Sequence, residues 1–459
     1  MASDGAAGDP ASASTAAGGT IADLFTSLRA DEPPMPPRFA DLKERIRPDP
    51  QLVRDSWERL SAAIEEKTAA MAGADPEDII PVVDFEEVKH LAALPQPLAE
   101  RIRDVGTAVI RNTVPEEEAV AWREATKAYL RQNPNHTGFP EDNPQVYEIY
   151  WAKAELEARQ HGNMLHVGRL LNGLWHGSDG AASTPAFAMD SPITYVDRLR
   201  MRNPGDTSFA LGAHMDGGGI ERWECAGFRD VYRHILDGDW EKFDAFCLDH
   251  RDQATSDMYE TPNACSVFRT FQGWLSLSNT GPTQGTLRVV PFLREATAYM
   301  MLRPFLDDVP ATDFPGARPK TTQDVNTTWH APLVDAVTSI PAVKPGDTVW
   351  WHGDVIHAVE FEHQGTEDAC VFYIPLAPMC RQNAEYLVKQ RDHFLRGLTP
   401  PDFPPNHSEV DFVGRGTADD LTEAGKRAMG LLPFDATADA SDDVKQLLQE
   451  CNAILGYGA

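Results

Sequence analysis

The run LGAHMDGGG, Leu211 to Gly219, sets a histidine and a carboxylate two residues apart and follows them with three glycines. In extended backbone, residues i and i+2 leave the same face, so His214 and Asp216 point together while Met215 points away. Two such groups fill two positions around a metal ion, and the glycines allow a sharp turn with open space beside it. A third ligand has to come from a distant strand. His357, in PGDTVWWHGDVIHAVEF about 140 residues downstream, completes a 2-His-1-carboxylate set, which holds one face of an octahedral iron and leaves the other open. His352, five residues earlier, is the alternative; its odd offset aims it opposite to His357 in an ideal strand, so it is expected to line the site instead. The bland reading, histidines hydrogen-bonded in a core, applies to any single HxD. The conjunction of HxD, glycines and a remote histidine on a β-rich run argues against it.

These side chains need strands to hold them. From about Ile193 to Leu376 the runs ITYVDRLRMRN, SVFRTFQGWLSLSN, GTLRVVPFL, DTVWWHGDVIHAVEF and DACVFYIPLAP are β-rich and bounded by Gly, Pro, Asn and Asp. Short strands so punctuated predict a barrel or jelly roll. Between the first two lies a helical excursion, ERWECAGFRDVYRHILDGDWEKFDAFCLDHRDQ. Upstream, Leu52, Trp57, Leu60 and Ile64 recur at helical spacing, predicting one apolar face. Thr107–Ile110 reads as a strand, followed by a helix whose first turn takes Pro115 and Glu116, Glu117 and Glu118. Beyond Arg381 the chain is helical again. The expected organisation is a disordered tail over 1–20, a helical region over 21–190 leading by one strand into the core, a core over 191–380 with a helical insertion at 220–264, and a helical extension over 381–459.

Composition bounds the function. The chain has 459 residues, 42% hydrophobic and 24% charged, enough for a sizeable core. A net charge of −29 argues against nucleic-acid or anionic-membrane partners, both of which need a basic surface. Six cysteines without paired spacing argue against a disulfide framework or zinc ribbon and for a reducing compartment. No apolar run reaches the ~18 residues of a membrane span, and the Ala/Ser/Gly-rich start has no basic or apolar signal region. The expected location is the cytoplasm.

The strings VDRLRMRNPGDTSFALGAHMDGGGIERWE, FRTFQGWLSLSNTGPTQGTLRVVP, GDTVWWHGDVIHAVE and YIPLAP together resemble the DUF1479 family with its YbiU-type members, a branch of the Fe(II)/2-oxoglutarate-dependent dioxygenases. VGTAVIRNTVPEEEAVAWREATKAYL is similar to the corresponding stretch of phytanoyl-CoA hydroxylase-like proteins. The resemblance spans about Ile79 to Pro405. It implies a mainly β core, a double-stranded β-helix or jelly roll carrying N-terminal, inserted and C-terminal helices, with iron held by His214, Asp216 and His357. One feature departs from the pattern. Superfamily members often carry a basic residue some way after the distal histidine to bind the far carboxylate of 2-oxoglutarate, and the matching window, Glu367 to Phe372, has none.

The cation must come from elsewhere. Arg269, which opens RTFQGWLSLSN, is the first choice, with Arg288 and Arg381 as alternatives; a guanidinium is always charged and grips a carboxylate through paired hydrogen bonds. Arg198, Arg200 and Arg202 alternate along DRLRMRN and share a face; Arg200 is expected to reach an anionic group of cosubstrate or substrate. Trp223, Trp274 and His352 are the other expected pocket residues; Trp350 and Trp351 are aromatic candidates of the same kind, and most of the four tryptophans are read as packing. The implied activity is oxidation of a small molecule's C–H bond, most simply hydroxylation, with O2 and 2-oxoglutarate consumed and succinate and CO2 released. Two other classes use the same residues: a non-catalytic binding module, and a metal-dependent hydrolase. Neither the substrate nor the oligomeric state is written in the sequence.

Overall fold

The computed structural model describes residues 34–181, 184–207, 211–405, 408–438 and 440–458; the expected tail over 1–20 lies outside them. Numbered along the chain, the strands form three sheets. The largest has eight strands, in spatial order β1 (Val82–Asp84), β2 (Thr107–Arg111), β12 (Thr348–His352), β8 (Phe271–Ser276), β14 (Ala369–Tyr373), β6 (Leu199–Arg202), β4 (Val146–Tyr147) and β3 (Gly138–Phe139). The second has five: β10 (Gln323–Asp324), β7 (His214–Met215), β13 (His357–Val359), β9 (Leu287–Val289) and β11 (Thr338–Ser339). A small pair joins β5 (Ala188–Ile193) to β15 (Ala377–Met379). All pairings are antiparallel except β1 with β2. Among the described residues no sheet closes on itself, so the architecture is mixed helix and sheet rather than a barrel.

Every residue of β8 and β12 is buried. Such strands read as continuous apolar runs because both faces are covered. Helices supply much of the cover. Leu293–Leu302 is buried along nine of its ten residues and packs beside Pro50–Met71. The latter helix starts where Asp49 accepts hydrogen bonds from the N–H groups of Gln51 and Leu52. It buries Val53, Ser56, Leu60 and Ile64. Leu60 and Ile64 lie on the expected face and Trp57 packs partly buried beside it, whereas Leu52, 47% exposed, gives its place to Val53. The β2 strand and the Glu116–Gln132 helix form as the pattern predicts, with Pro115 as the residue capping that helix. The excursion after β7 is a chain of short helices, Glu221–Glu224, Ala226–Val231 and Arg233–Leu236. No helix among the described residues is long and apolar enough to cross a membrane.

Beyond the last strand, the C-terminal arm packs back onto the core, and one of its contacts is a buried carboxylate. Glu409 accepts from the Tyr150 N–H at 2.6 Å, the Trp151 N–H at 3.0 Å and the Tyr129 hydroxyl at 2.6 Å. Burial pushes its pKa up to about 7 even against these donors, and burial likewise raises neighbouring Glu155 to about 8. An acid whose pKa is raised on folding binds more protons folded than unfolded. Its contribution is full below the unfolded value near 4.5 and is lost as pH climbs towards 7–8. Between pH 5 and 7 these two carboxyls therefore take stability away, while the buried His214, His330 and His352, whose pKa values are lowered, add it. Glu409→Gln, which keeps the acceptor for the two backbone N–H groups, removes the Glu409 part alone: the difference in unfolding free energy between wild type and variant, from urea titrations, is expected to shrink as pH rises from 5 to 7.

Candidate metal centre

The β7–β13 register decides the site. His214 and His357 are directly opposed partners across these two strands, and their rings lie 4.2 Å apart at 49°. Each imidazole uses its Nδ1 on a local carbonyl, His214 on Gly212 at 2.8 Å and His357 on Val355 at 3.0 Å. That contact requires Nδ1 to carry the proton, which leaves both Nε2 lone pairs facing the same space. Asp216 enters it from the turn after β7, with its oxygens 3.8 Å from His214 Nε2 and 3.5 Å from His357 Nε2. The three ligand atoms lie within 4.8 Å of one another. Burial, then the charge of His357, lowers the His214 pKa to about 4, so this ring is neutral near pH 7. Burial alone would raise Asp216, but the His357 contact and the charges of His214, His357 and Arg269 hold it well below the usual carboxylate range. Two imidazoles that offer Nε2 and an ionised carboxylate, converging on one space, suit a divalent metal.

The glycines answer the geometric need. Gly217 and Gly218 have φ of 80° and 103°, where side chains are strained. A Cβ on Gly219 would lie 2.4 Å from the Thr321 carbonyl oxygen. The turn is held from beneath by Arg222, which donates to the carbonyls of Asp216, at 2.7 Å, and Gly218. Arg222 is in turn 3.4 Å from Asp354 Oδ1, Arg251 is 3.5 Å from Oδ2, and the Tyr232 hydroxyl donates to Oδ1 at 2.8 Å. Burial would raise Asp354, yet Arg251, His352, Arg222 and Tyr232 bring it down to about 2. Gln272 on β8 completes the support. With its amide nitrogen towards the carboxylate it donates to Asp216 Oδ2 at 2.6 Å and accepts from Trp351 Nε1 at 2.9 Å. None of these supporting groups was evident in the sequence. Asp354 follows His352 in one local run, but the groups it touches come from remote segments.

An open cavity of about 160 Å³ adjoins the three ligands, against roughly 10–15 Å³ for one water by the same kind of measure. Arg200, Arg269, Trp274 and Trp351 line it, together with residues of the excursion such as Asp257 and Asn263. Four expected residues are elsewhere. His352 faces the far side of its strand, stacked on Trp175 at 4.9 Å and 3.1 Å from the Ala245 carbonyl oxygen; the odd offset from His357 is real. Trp223 turns into the core, donating to the Met301 carbonyl at 3.2 Å and lying 5.4 Å from Phe314. Arg288 alternates away from the cavity wall, which takes Leu287, and donates to the Val337 carbonyl at 2.8 Å. Arg381 opens an outer helix and pairs with Glu450 at the surface.

Arg200 and Arg269 behave differently. Arg200 is 3% exposed, its Nε has no partner, and the side chain makes no hydrogen bond or ion pair among the described residues. It sits directly opposite Val371 of β14, within the window after His357 that lacks a basic residue. Arg269, at the start of β8, is half-buried and equally without a hydrogen bond or ion pair among the described residues.

Comparison with known proteins agrees with the sequence resemblance. The Gig2-like family model matches residues 33–431, and the chain belongs to that family. It is 37% identical over 429 residues to the uncharacterized protein YbiU of Escherichia coli (strain K12), covering 90% of this chain and 100% of that protein. Among solved structures, GIG2 (DUF1479) from Candida albicans superposes with a TM-score of 0.83 at 33% identity, covering 93% of this chain and 96% of that one. The hypothetical protein JW0805 from Escherichia coli gives 0.76 at 38% identity, covering 85% and 96%.

Removing the charge of Asp354 leaves two buried guanidiniums uncompensated, a change that costs about 3–5 kcal/mol in comparable pairs. Asp354→Asn is therefore expected to lower the urea midpoint markedly, whereas Arg381→Gln at the exposed pair is expected to shift it little.

Proposed function

We propose that this member of the Gig2-like family is a non-haem iron oxygenase that uses 2-oxoglutarate and O2 to oxidise a C–H bond of a small molecule. The convergence of His214, Asp216 and His357 at the wall of an open cavity carries the reading. In it, the eight- and five-stranded sheets are the two faces of a double-stranded β-helix, and residues 191–380 are the catalytic unit. His214, Asp216 and His357 would hold a ferrous ion and leave it room for further ligands, as an oxygenase requires. A ferrous ion bound there supplies, with 2-oxoglutarate and O2, oxidation of the substrate coupled to release of succinate and CO2.

The chain's own residues do the positioning. The Nδ1 hydrogen bonds of His214 and His357 fix which nitrogen of each ring is offered. Gln272 fixes the rotation of the Asp216 carboxylate. Arg200 is assigned to the distal carboxylate of 2-oxoglutarate. It has no competing partner, and its strand neighbours the one from which a basic residue is missing. The excursion and the aromatic wall exclude water and place the substrate.

His214→Ala and Asp216→Ala are expected to abolish both stoichiometric Fe(II) binding under anaerobic conditions and substrate-dependent succinate release. Tight zinc with hydrolytic activity, and no iron-dependent 2-oxoglutarate consumption, would instead support a hydrolase. Gln272→Leu is expected to weaken metal affinity by about 10–100-fold, the usual effect of losing a hydrogen bond to a ligand. Arg200→Gln is expected to raise the 2-oxoglutarate dissociation constant at least about tenfold with metal binding intact, one tenfold step being ~1.4 kcal/mol.

A further inference from the structure

The cavity holds more uncommitted positive charge than one cosubstrate uses. Its acids already have donors from the protein. Asp197 accepts from the backbone N–H and Nε of Arg198 at 2.7 and 3.4 Å, Asp257 from the Thr261 N–H at 3.0 Å, and Glu221 from the Gly219 N–H at 2.8 Å. Asp216 belongs to the ligand set. Arg198 is taken up by Asp197, by Asn263 at 3.3 Å and by the Phe403 ring at 4.8 Å. Arg200, Arg269 and Lys320 remain, all at the cavity wall and none with a hydrogen bond or ion pair among the described residues.

A guanidinium cannot shed its proton, so a half-buried one with no partner awaits an anion. Arg269 now interacts at a distance with Cys265, Asp216, Tyr195 and Asp197, and hydrogen-bonds to none of them. A divalent metal on Asp216 would offset that carboxylate and leave Arg269 less compensated still. If Arg200 takes the cosubstrate, Arg269 is the guanidinium left at the wall without a hydrogen bond among the described residues, placed to meet the substrate. We infer that the substrate is an organic anion, a carboxylate or a phosphate ester, and that Arg269 is the residue that receives its charge. Lys320, exposed at the rim, supplies a local positive entrance in a chain of net charge −29. Trp274 and Tyr373 in the wall offer the apolar surface against which the organic part packs. This inference rests on the oxygenase reading for the assignment of Arg200, and the test separates the two.

Full-length protein loaded with Mn(II) is titrated calorimetrically with benzoate, phenyl phosphate and neutral benzamide, with and without saturating 2-oxoglutarate. At least one anion is expected to bind tenfold or more tightly than benzamide; which one it is distinguishes carboxylate from phosphate. Arg269→Gln is expected to lose that preference at least tenfold, while Arg269→Lys keeps the charge and retains most of it, showing that the loss is not misfolding. Equal binding of benzamide and both anions, or an unchanged preference in Arg269→Gln, overturns the inference. Failure of 2-oxoglutarate to bind the Mn(II) protein overturns the cosubstrate reading alone, because the titrations without it still decide the role of Arg269.

Discussion

The cross-strand pairing of His214 with His357 is the constraint on which the rest depends. Residues opposed in an antiparallel ladder sit about 4.5–5.5 Å apart, so one register choice sets the distance between two imidazoles from segments separated by most of the core. A slip of one position would send His357 to the other face. The β9 strand braces β13 from its other side, and the supporting arginine holds the turn that carries Asp216. The ligand geometry is thus a property of the sheet, with the loop made to conform to it.

Much of this was legible in advance because it is periodic or local. HxD, the glycines and the strand-rich run around His357 are patterns within single segments. So are the β2 strand and the helix after Pro115. What escaped were contacts between remote segments: Gln272 with Asp216, Arg222 with Asp354, Glu409 with the backbone at Tyr150. No spacing rule connects such residues. Strands of two or three residues, such as β1, β3 and β4, are too short to show alternation, so the N-terminal region looked more helical than it is. Trp223 and Arg288 were misplaced for a simpler reason. A bulky or charged type draws the eye, but the face is decided by neighbours, and Leu287 beside Arg288 already occupied the inward position.

The cavity's electrostatics run against the molecule's surface. A strongly acidic exterior suits solubility and says little about the ligand. Inside, the acids are matched one by one with donors while two guanidiniums are not. Pairing, more than net charge, distinguishes the interior, because an uncompensated ion in a low-dielectric wall is costly in a way that a surface charge is not.

The Gln272 bridge has an optical side. It links the Trp351 indole to the Asp216 carboxylate, and that indole ring also lies 5.3 Å from the His357 imidazole. Any change in what the carboxylate and imidazole hold must alter the field around this fluorophore. Trp351 is thus, among the chain's ten tryptophans, a fluorophore joined to the candidate centre, whose emission would report on occupancy there without a label.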